Sequence, residues 1–586
     1  MANSVVQSSL SLNRHWFVVC ALYFIASVLL TWPLFLNLKT YLFSAYGDSF
    51  GGVWGIWLRN EQLPQTKDML WTVLFNKGVT SSISQPIYEL IFDIPGVFVG
   101  EIAAYNIVVL LSFTLTSFTS YLFIYYLLHK ALPAFVGGLI FGFCPGAVMQ
   151  VVGGHLGFAF NMFVPLFLLA LFHNRERRTL VSAFFVGLSY ALLTLNSLYF
   201  GYFSIFIGFL FAVYDYVTNR KCSHKRLVLN YLFAALFVFV LIIPFQYKII
   251  IQIMSTSHIV LAKMGRIREY GELISYSARP LDYLLPSIDH PVLGRFIGDI
   301  ARSHLHGSNL FEQTLYLGFT PLLLCLAGFF LWSNKQYHIE LRRYFLFFSA
   351  GALLMVFFSM PPFIYWGDIK VPTLSHLMYG IAPMFRVYAR FGILANFFMA
   401  VAAAVVLSEL SDRMRRARYI LLLTVLLPAL FFEYWSVPPS YAKDVSKTPA
   451  VYQWLAGEPD DTIIAEYPMM ENDRASFYTY LFWQRIHRKR MVNGATPGNK
   501  EAWNFYQQVE DLSSEETPQL LRAAGVRYVI IHKEMYREGD IPEPLKRYYP
   551  AEASAVQYNG GKVPFNAFLN KPFKVFGDDS VYVLNH

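Results

Sequence analysis

Apolar stretches of about 20 residues recur between positions 15 and 436, and each is long enough to cross a bilayer. They fall near 15–36, 102–128, 132–150, 156–173, 179–197, 199–217, 228–250, 314–333, 344–361, 391–410 and 419–436. Such a chain is a multi-pass α-helical membrane protein, not a soluble one with a large core. Composition agrees: 55% of the 586 residues are apolar and 15% are Asp, Glu, Lys or Arg, against about 25% in soluble proteins. Mean hydropathy is +0.41. The first apolar run is too long, and lacks a small-residue cleavage site, for a cleaved signal, so it reads as a retained first span.

The net charge of +9 would suggest nucleic acid in a soluble protein. Here the basic residues lie in short loops between spans, so topology explains them and nucleic acid is not an expected partner. With the N-terminus in the cytoplasm, the inside loops carry Lys130; Arg175, Arg177 and Arg178; Arg220, Lys221, Lys225 and Arg226; Lys335, Arg342 and Arg343; and Arg413, Arg415, Arg416 and Arg418. All these clusters then share one side, as the positive-inside rule requires. The expected location is a bacterial inner membrane. Cys20, Cys144, Cys222 and Cys325 have no zinc-like spacing and form no disulfide framework.

The other face carries long loops at 37–101, 251–313 and 362–390. The stretch from Ile83 to Val99 is amphipathic and suits the interface. Residues 441–586 follow as a soluble domain, leaving 1–440 as the membrane domain. Thr448–Leu455 and Pro518–Ala524 read as helices; Thr462–Tyr467, Arg527–His532 and Ser580–Leu584 read as strands. Alternation of the two predicts a small extracytoplasmic α/β domain.

Candidate site residues gather on that outer side. Asp48 stands between Gly47 and Gly51-Gly52, ahead of Trp54 and Trp57, at the rim of the bilayer. A carboxylate there should face water, a metal or a cation, although Asp48 alone could equally be a solvated loop residue. His155 follows Gly153-Gly154 and could bind phosphate or shuttle a proton, or simply bond within a helix cap. Asn196-Ser197, beside Tyr199 and Tyr202, form a tight turn more readily than a binding group. Arg386 and Arg390, four apart, are expected on one helix face, where together they could grip a phosphate in bidentate fashion. Glu312 reads best as the ion-pair partner of such an arginine. An acid, a base and cations at one membrane face suit chemistry on a lipid phosphate: Asp48 would take a proton or hold a divalent cation, and the arginines would stabilise the leaving phosphate.

In this order the chain resembles the GT-C superfamily of polytopic glycosyltransferases, in particular its bacterial branch. The resemblance runs through Gly47-Asp48 with Trp54 and Trp57; Gly78 and Pro86 to Pro95; Gly154-His155-Leu156; Glu312 with Tyr316-Leu317-Gly318; Phe385 to Phe391; Val492-Asn493-Gly494; and Gly525 to Val529. It implies a first-loop acid, matched by Asp48, a polyprenyl-phosphate-linked sugar donor, a glycan or lipid acceptor, and hexosyl or pentosyl transfer. The chain departs from better-known members in having one aspartate where they have an adjacent acidic pair. That leaves a divalent cation such as Mg or Mn an open expectation, with Glu89 or Asp93 as the second carboxylate. Two other readings compete: a transporter or flippase of a lipid-linked glycan, and a non-catalytic membrane scaffold. The scaffold predicts that Asp48 lies apart from the arginines. A transporter predicts charges at mid-depth and repeated halves, which this sequence lacks.

Overall fold

A computed structural model describes residues 2–44, 47–60, 85–219, 224–255, 268, 270–303, 310–333, 338–367, 369–435, 441–469, 475–494, 500–533 and 571–584. Among them, eight helices are long and apolar enough to cross a membrane: Glu101–Leu128, Ala131–Val152, Leu156–Arg177, Leu198–Thr218, Leu227–Tyr247, Ile339–Ser359, Tyr388–Arg413 and Arg416–Tyr434. Shorter apolar helices at His15–Leu30, Leu180–Asn196 and Phe319–Trp332 occupy the three remaining predicted spans. Two spans are interrupted. Ala131–Gly142 gives way to Pro145–Val152, with Pro145 in the first turn of the second piece. A proline there loses no hydrogen bond. Leu156–Ala159 likewise precedes Phe163–Arg177.

Helix Phe391–Arg413 is the axis of the bundle. It is apolar all round and buried along nearly its whole length, as a helix without a polar face must be. Small residues bring its neighbours close: a Cβ on Gly137 would stand 3.2 Å from Ala404 Cβ and 2.4 Å from Ile124 Cδ1. The outer helix through Leu227–Tyr247 instead exposes Leu232, Leu236, Phe239 and Val240.

The two ends of the bundle differ. At one, Lys130 reaches across to Ser408 O at 2.8 Å and Asp412 Oδ1 at 2.5 Å, and Arg175 and Arg178 surround the buried Asp215. Of the basic residues expected there, Arg220, Lys221, Lys335 and the side chain of Arg226 lie outside the described residues. At the other end stand the connections between spans that the sequence marked as long. They hold helix Pro86–Val99, whose Leu90, Ile94, Val97 and Phe98 are exposed, short helices in 270–313, and the hairpin Phe363–Trp366/Ile369–Pro372.

The C-terminal region packs onto that same end. Strand Ala442–Asp444 pairs antiparallel with Tyr41–Phe43 of the first loop, so a boundary at 440 falls within a shared two-stranded sheet. Beyond it a five-stranded sheet forms in the order Arg490–Met491, Ile463–Tyr467, Tyr528–His532, Asp579–Val583 and Lys574–Phe576. The first three are parallel and the rest antiparallel. Every residue of Tyr528–His532 is buried, which explains its unbroken Val and Ile run. Helices Ala450–Ala456 and Thr517–Ala523 stand where the sequence placed helices. Helix Ala475–His487, which pattern reading did not find, locks the region to helix Asp48–Asn60. Phe50 and Phe482 ring centroids are 4.4 Å apart, and Arg485 Nη1 meets Glu101 Oε1 at 2.6 Å.

Candidate active site

The site is built where the first loop meets two span connections. Asp48 opens helix Asp48–Asn60. His155 stands between the two interrupted spans. The close approach depends on Gly154, whose φ of +78° suits glycine; a Cβ there would come 2.5 Å from the backbone nitrogen of Ser49. The Gly-Gly-His and Gly-Asp signals of the sequence are thus two halves of one contact.

A chain of four charged groups runs inward from it. His155 Nε2 lies 2.9 Å from Asp48 Oδ2, and His155 Nδ1 lies 3.3 Å from Glu312 Oε1. Arg390 Nε donates to Glu312 Oε1 and Oε2 at 3.1 and 3.0 Å, and its Nη2 also bonds Glu312. Gln150 Nε2 donates to Glu312 Oε2 at 3.0 Å. The Arg390 guanidinium carbon lies 3.6 Å from the Phe158 ring centroid. Exposure falls steeply inward: the Asp48 side chain is 36% exposed and that of Glu312 2%. A carboxylate so buried is costly unless paired and hydrogen-bonded, and Glu312 is both.

These contacts set the protonation states. Burial lowers the basicity of His155, but hydrogen bonds and charges of Asp48 and Glu312 outweigh it and lift its pKa to about 9. Burial pushes Asp48 up; the His155 bond, its charge, a hydrogen bond from Tyr478 and the charge of Arg390 bring it below the ordinary aspartate value. Burial opposes ionisation of Glu312 too, yet Arg390 and His155 hold it well below the carboxylate range. Near neutral pH the chain therefore alternates minus, plus, minus, plus. Its outermost group is an ionised, accessible carboxylate, suited to accepting a proton or a hydrogen bond.

Not every expected residue joins it. Arg386 and Arg390 do not share a helix face: Tyr388–Arg390 is a single 3-10 turn. Arg386 pairs with Glu272 while Arg390 pairs with Glu312. The bidentate arginine clamp is replaced by two separate ion pairs. Glu89 responds to burial and to the charges of Arg59 and Asp93, and Asp93 is held by Arg59 Nε at 2.8 Å. Neither forms an acidic pair with Asp48. Trp54 donates its indole N–H to Gln484 Oε1 at 3.1 Å, so it fastens the C-terminal region rather than lining the acid chain. Asn196 is buried, with its amide on Phe160 O at 3.3 Å. Gly78 lies outside the described residues.

A divalent cation does not fit this arrangement. Asp48 Oδ2 already faces an imidazolium, which would repel a cation beside it. Among the described residues no group of three or more His, Cys, Asp or Glu is arranged to hold a metal ion. Gln150 and Tyr478 belong to the site without any sequence signal: one hides in an apolar helix, the other comes from the C-terminal region.

The fold and site are those of a multi-pass helical membrane protein with an acid–histidine–acid–arginine chain at one end. The chain belongs to the family described as "Domain of unknown function (DUF6311)", whose model matches residues 79–429; His155, Glu312 and Arg390 fall inside that segment and Asp48 before it. No curated protein matches the sequence. Among solved structures it is similar to the Archaeoglobus fulgidus oligosaccharyltransferase, whose crystal structure is a complex with Zn and sulfate. Identity is 15%, coverage 89% of this chain and 68% of that one, and TM-score 0.44. It is also similar to the arabinofuranosyltransferase AftD from Mycobacteria, with 13% identity, 88% and 36% coverage and TM-score 0.46.

Proposed function

We propose that the protein is a membrane glycosyltransferase that moves a sugar from a polyprenyl-phosphate-linked donor to a cell-envelope acceptor, a glycan or a lipid. Asp48 is its catalytic carboxylate. One observation carries this reading: His155, Glu312 and Arg390 converge on an ionised Asp48 whose carboxylate is the accessible end of the chain. An arrangement of four alternating charges is more than a solvated loop aspartate needs, and it runs counter to the scaffold alternative.

In the reaction an acceptor hydroxyl donates its hydrogen bond to Asp48. As its oxygen bonds the anomeric carbon, the proton passes to the carboxylate. The anomeric C–O bond breaks and its electron pair leaves with the lipid phosphate. His155 fixes the carboxylate and supplies positive charge near the departing phosphate. Glu312 and Arg390 are positioning residues that hold His155 protonated and in place. The positive-inside pattern supports an N-terminus in the cytoplasm of a bacterial inner membrane, with the site and C-terminal region outside.

The test replaces Asp48 with Asn in cells and follows envelope glycan by mass spectrometry. Loss of one glycan component at normal protein level is expected. Unchanged glycan at that level would sink the assignment.

A further inference from the structure

At the end of the membrane domain opposite Asp48, a cavity of about 350 Å³ opens beside Arg178, Thr179, Lys225, Asn230 and Phe233. Helix Phe163–Arg177 separates it from the His155 end by roughly 22 Å at 1.5 Å per residue. Its floor is cationic. The Arg178 side chain is 6% exposed, and its Nη2 bonds the fully buried Asp215. Asp215 also takes Arg175 Nε at 3.4 Å and the Tyr231 hydroxyl at 2.8 Å. Arg178 Nε and Nη1 are buried with no hydrogen-bond partner in the protein. Orphaned donors on a buried cation are costly, and they leave the Arg178 charge compensated by Asp215 alone. Lys225 is exposed at its rim. Three cations against one carboxylate leave the floor positive.

The walls are apolar. Leu180, Leu229 and Phe233, which line the cavity, are 57%, 44% and 40% exposed. Val181, Leu232 and Leu236 continue that surface along the same two helices. Apolar side chains exposed on a helix of membrane-crossing length face acyl chains. A free phosphate would leave these walls unused, whereas a lipid would cover them.

We propose that this cavity binds an anionic phospholipid. Its phosphate sits against the exposed edge of the Arg178 side chain and pairs with Lys225, and its acyl chains lie along Leu229 and Phe233. The site is independent of the chemistry at Asp48.

The test is native mass spectrometry of the full-length protein released from micelles holding equal phosphatidylglycerol and phosphatidylcholine with matched chains. Preferential retention of phosphatidylglycerol is expected. Lys225→Gln should lower that retention about fivefold, the share of one interfacial cation. Arg178→Lys, which keeps the charge beside Asp215 but removes the fork, should lower it further. Thermal unfolding in phosphatidylcholine alone should stay that of the wild type for Lys225→Gln, an exposed position, so this variant decides the matter even if Arg178→Lys fails to fold. Equal retention of the two lipids, or retention by Lys225→Gln equal to the wild type, would overturn the proposal. So would displacement of phosphatidylglycerol by millimolar inorganic phosphate, which would mark a soluble-anion site.

Discussion

Two histidines in this molecule are each clasped between two carboxylates, and they differ in what stands at the ends. His155 links Asp48 to Glu312. His532 links Glu466, at 3.0 Å, to Asp579, at 2.8 Å, across neighbouring strands of the C-terminal sheet. In both, burial opposes the charge, the flanking acids outweigh it, and the pKa rises to about 9. Around His532 the inner acid is closed off by the Tyr452 hydroxyl at 2.8 Å, and Tyr480 stacks on the imidazole. The inner acid of the other cluster ends on Arg390, and its outer acid, Asp48, sits at a junction of three segments. The same motif thus serves as a fastener when woven into a sheet. When it is assembled from loop ends at one end of the bundle, it leaves a carboxylate accessible at its outer end.

The largest expected difference is in activity. Asp48→Asn should reduce transfer by about 10² to 10⁴, measured as product formed in membranes from a lipid-linked sugar. Asp579→Asn should leave transfer unchanged and lower only stability. Equal losses would erase the contrast. Next comes Arg390→Met. It strands the charge of buried Glu312 and should destabilise by about 3–5 kcal/mol. Tyr452→Phe, which removes a neutral donor from Glu466, should cost about 1 kcal/mol. Thermal unfolding in detergent ranks the two, and the reverse order would contradict the roles given to the chain ends.

pH sharpens the comparison further. A histidine raised from 6.5 to about 9 in the folded state binds its proton more tightly folded than unfolded. Its stabilisation is complete below pH 6.5 and is lost as pH rises through 9. Unfolding temperature should therefore fall across that window. His155→Gln and His532→Gln should each remove part of the slope, while His155→Gln alone abolishes transfer. A flat profile in the wild type would show that neither histidine is held protonated. The smallest of these effects on transfer belongs to Tyr478→Phe. Loss of its hydrogen bond to Asp48 should raise the Asp48 pKa and lower transfer roughly tenfold. The pH–rate profile should shift upward on its acid limb, with a small loss of stability at neutral pH; an unmoved limb would make Tyr478 merely a packing residue.

Much of this was legible in the residues. Apolar run length placed the eight described helices that are long and apolar enough to cross a membrane, because a bilayer demands length and hydrophobicity and little else. Interruptions at Pro145 and around Phe160–Met162 were not, since each lies inside an apolar stretch. The strands at 463–467 and 528–532 show in Val and Ile content. Helix Ala475–His487 carries no clear apolar period because Gln484 and Arg485 interrupt it to meet Trp54 and Glu101.

Of the candidate residues, Asp48, His155, Glu312 and Arg390 share a loop setting at one membrane face, and topology alone put them there. Sequence spacing suggested that Arg386 and Arg390 act together, but a 3-10 turn at Tyr388–Arg390 sends them to different acids. Glu89 and Trp54 looked equal to His155 for the same reason: each is a polar or aromatic residue in the right loop. What the sequence determined by itself was the membrane class and the positions of the apolar helices, because these follow from solvation residue by residue. Which charges meet was decided only in three dimensions. Ion pairing is fixed by a few ångströms between segments far apart in the chain, and no local pattern encodes that distance.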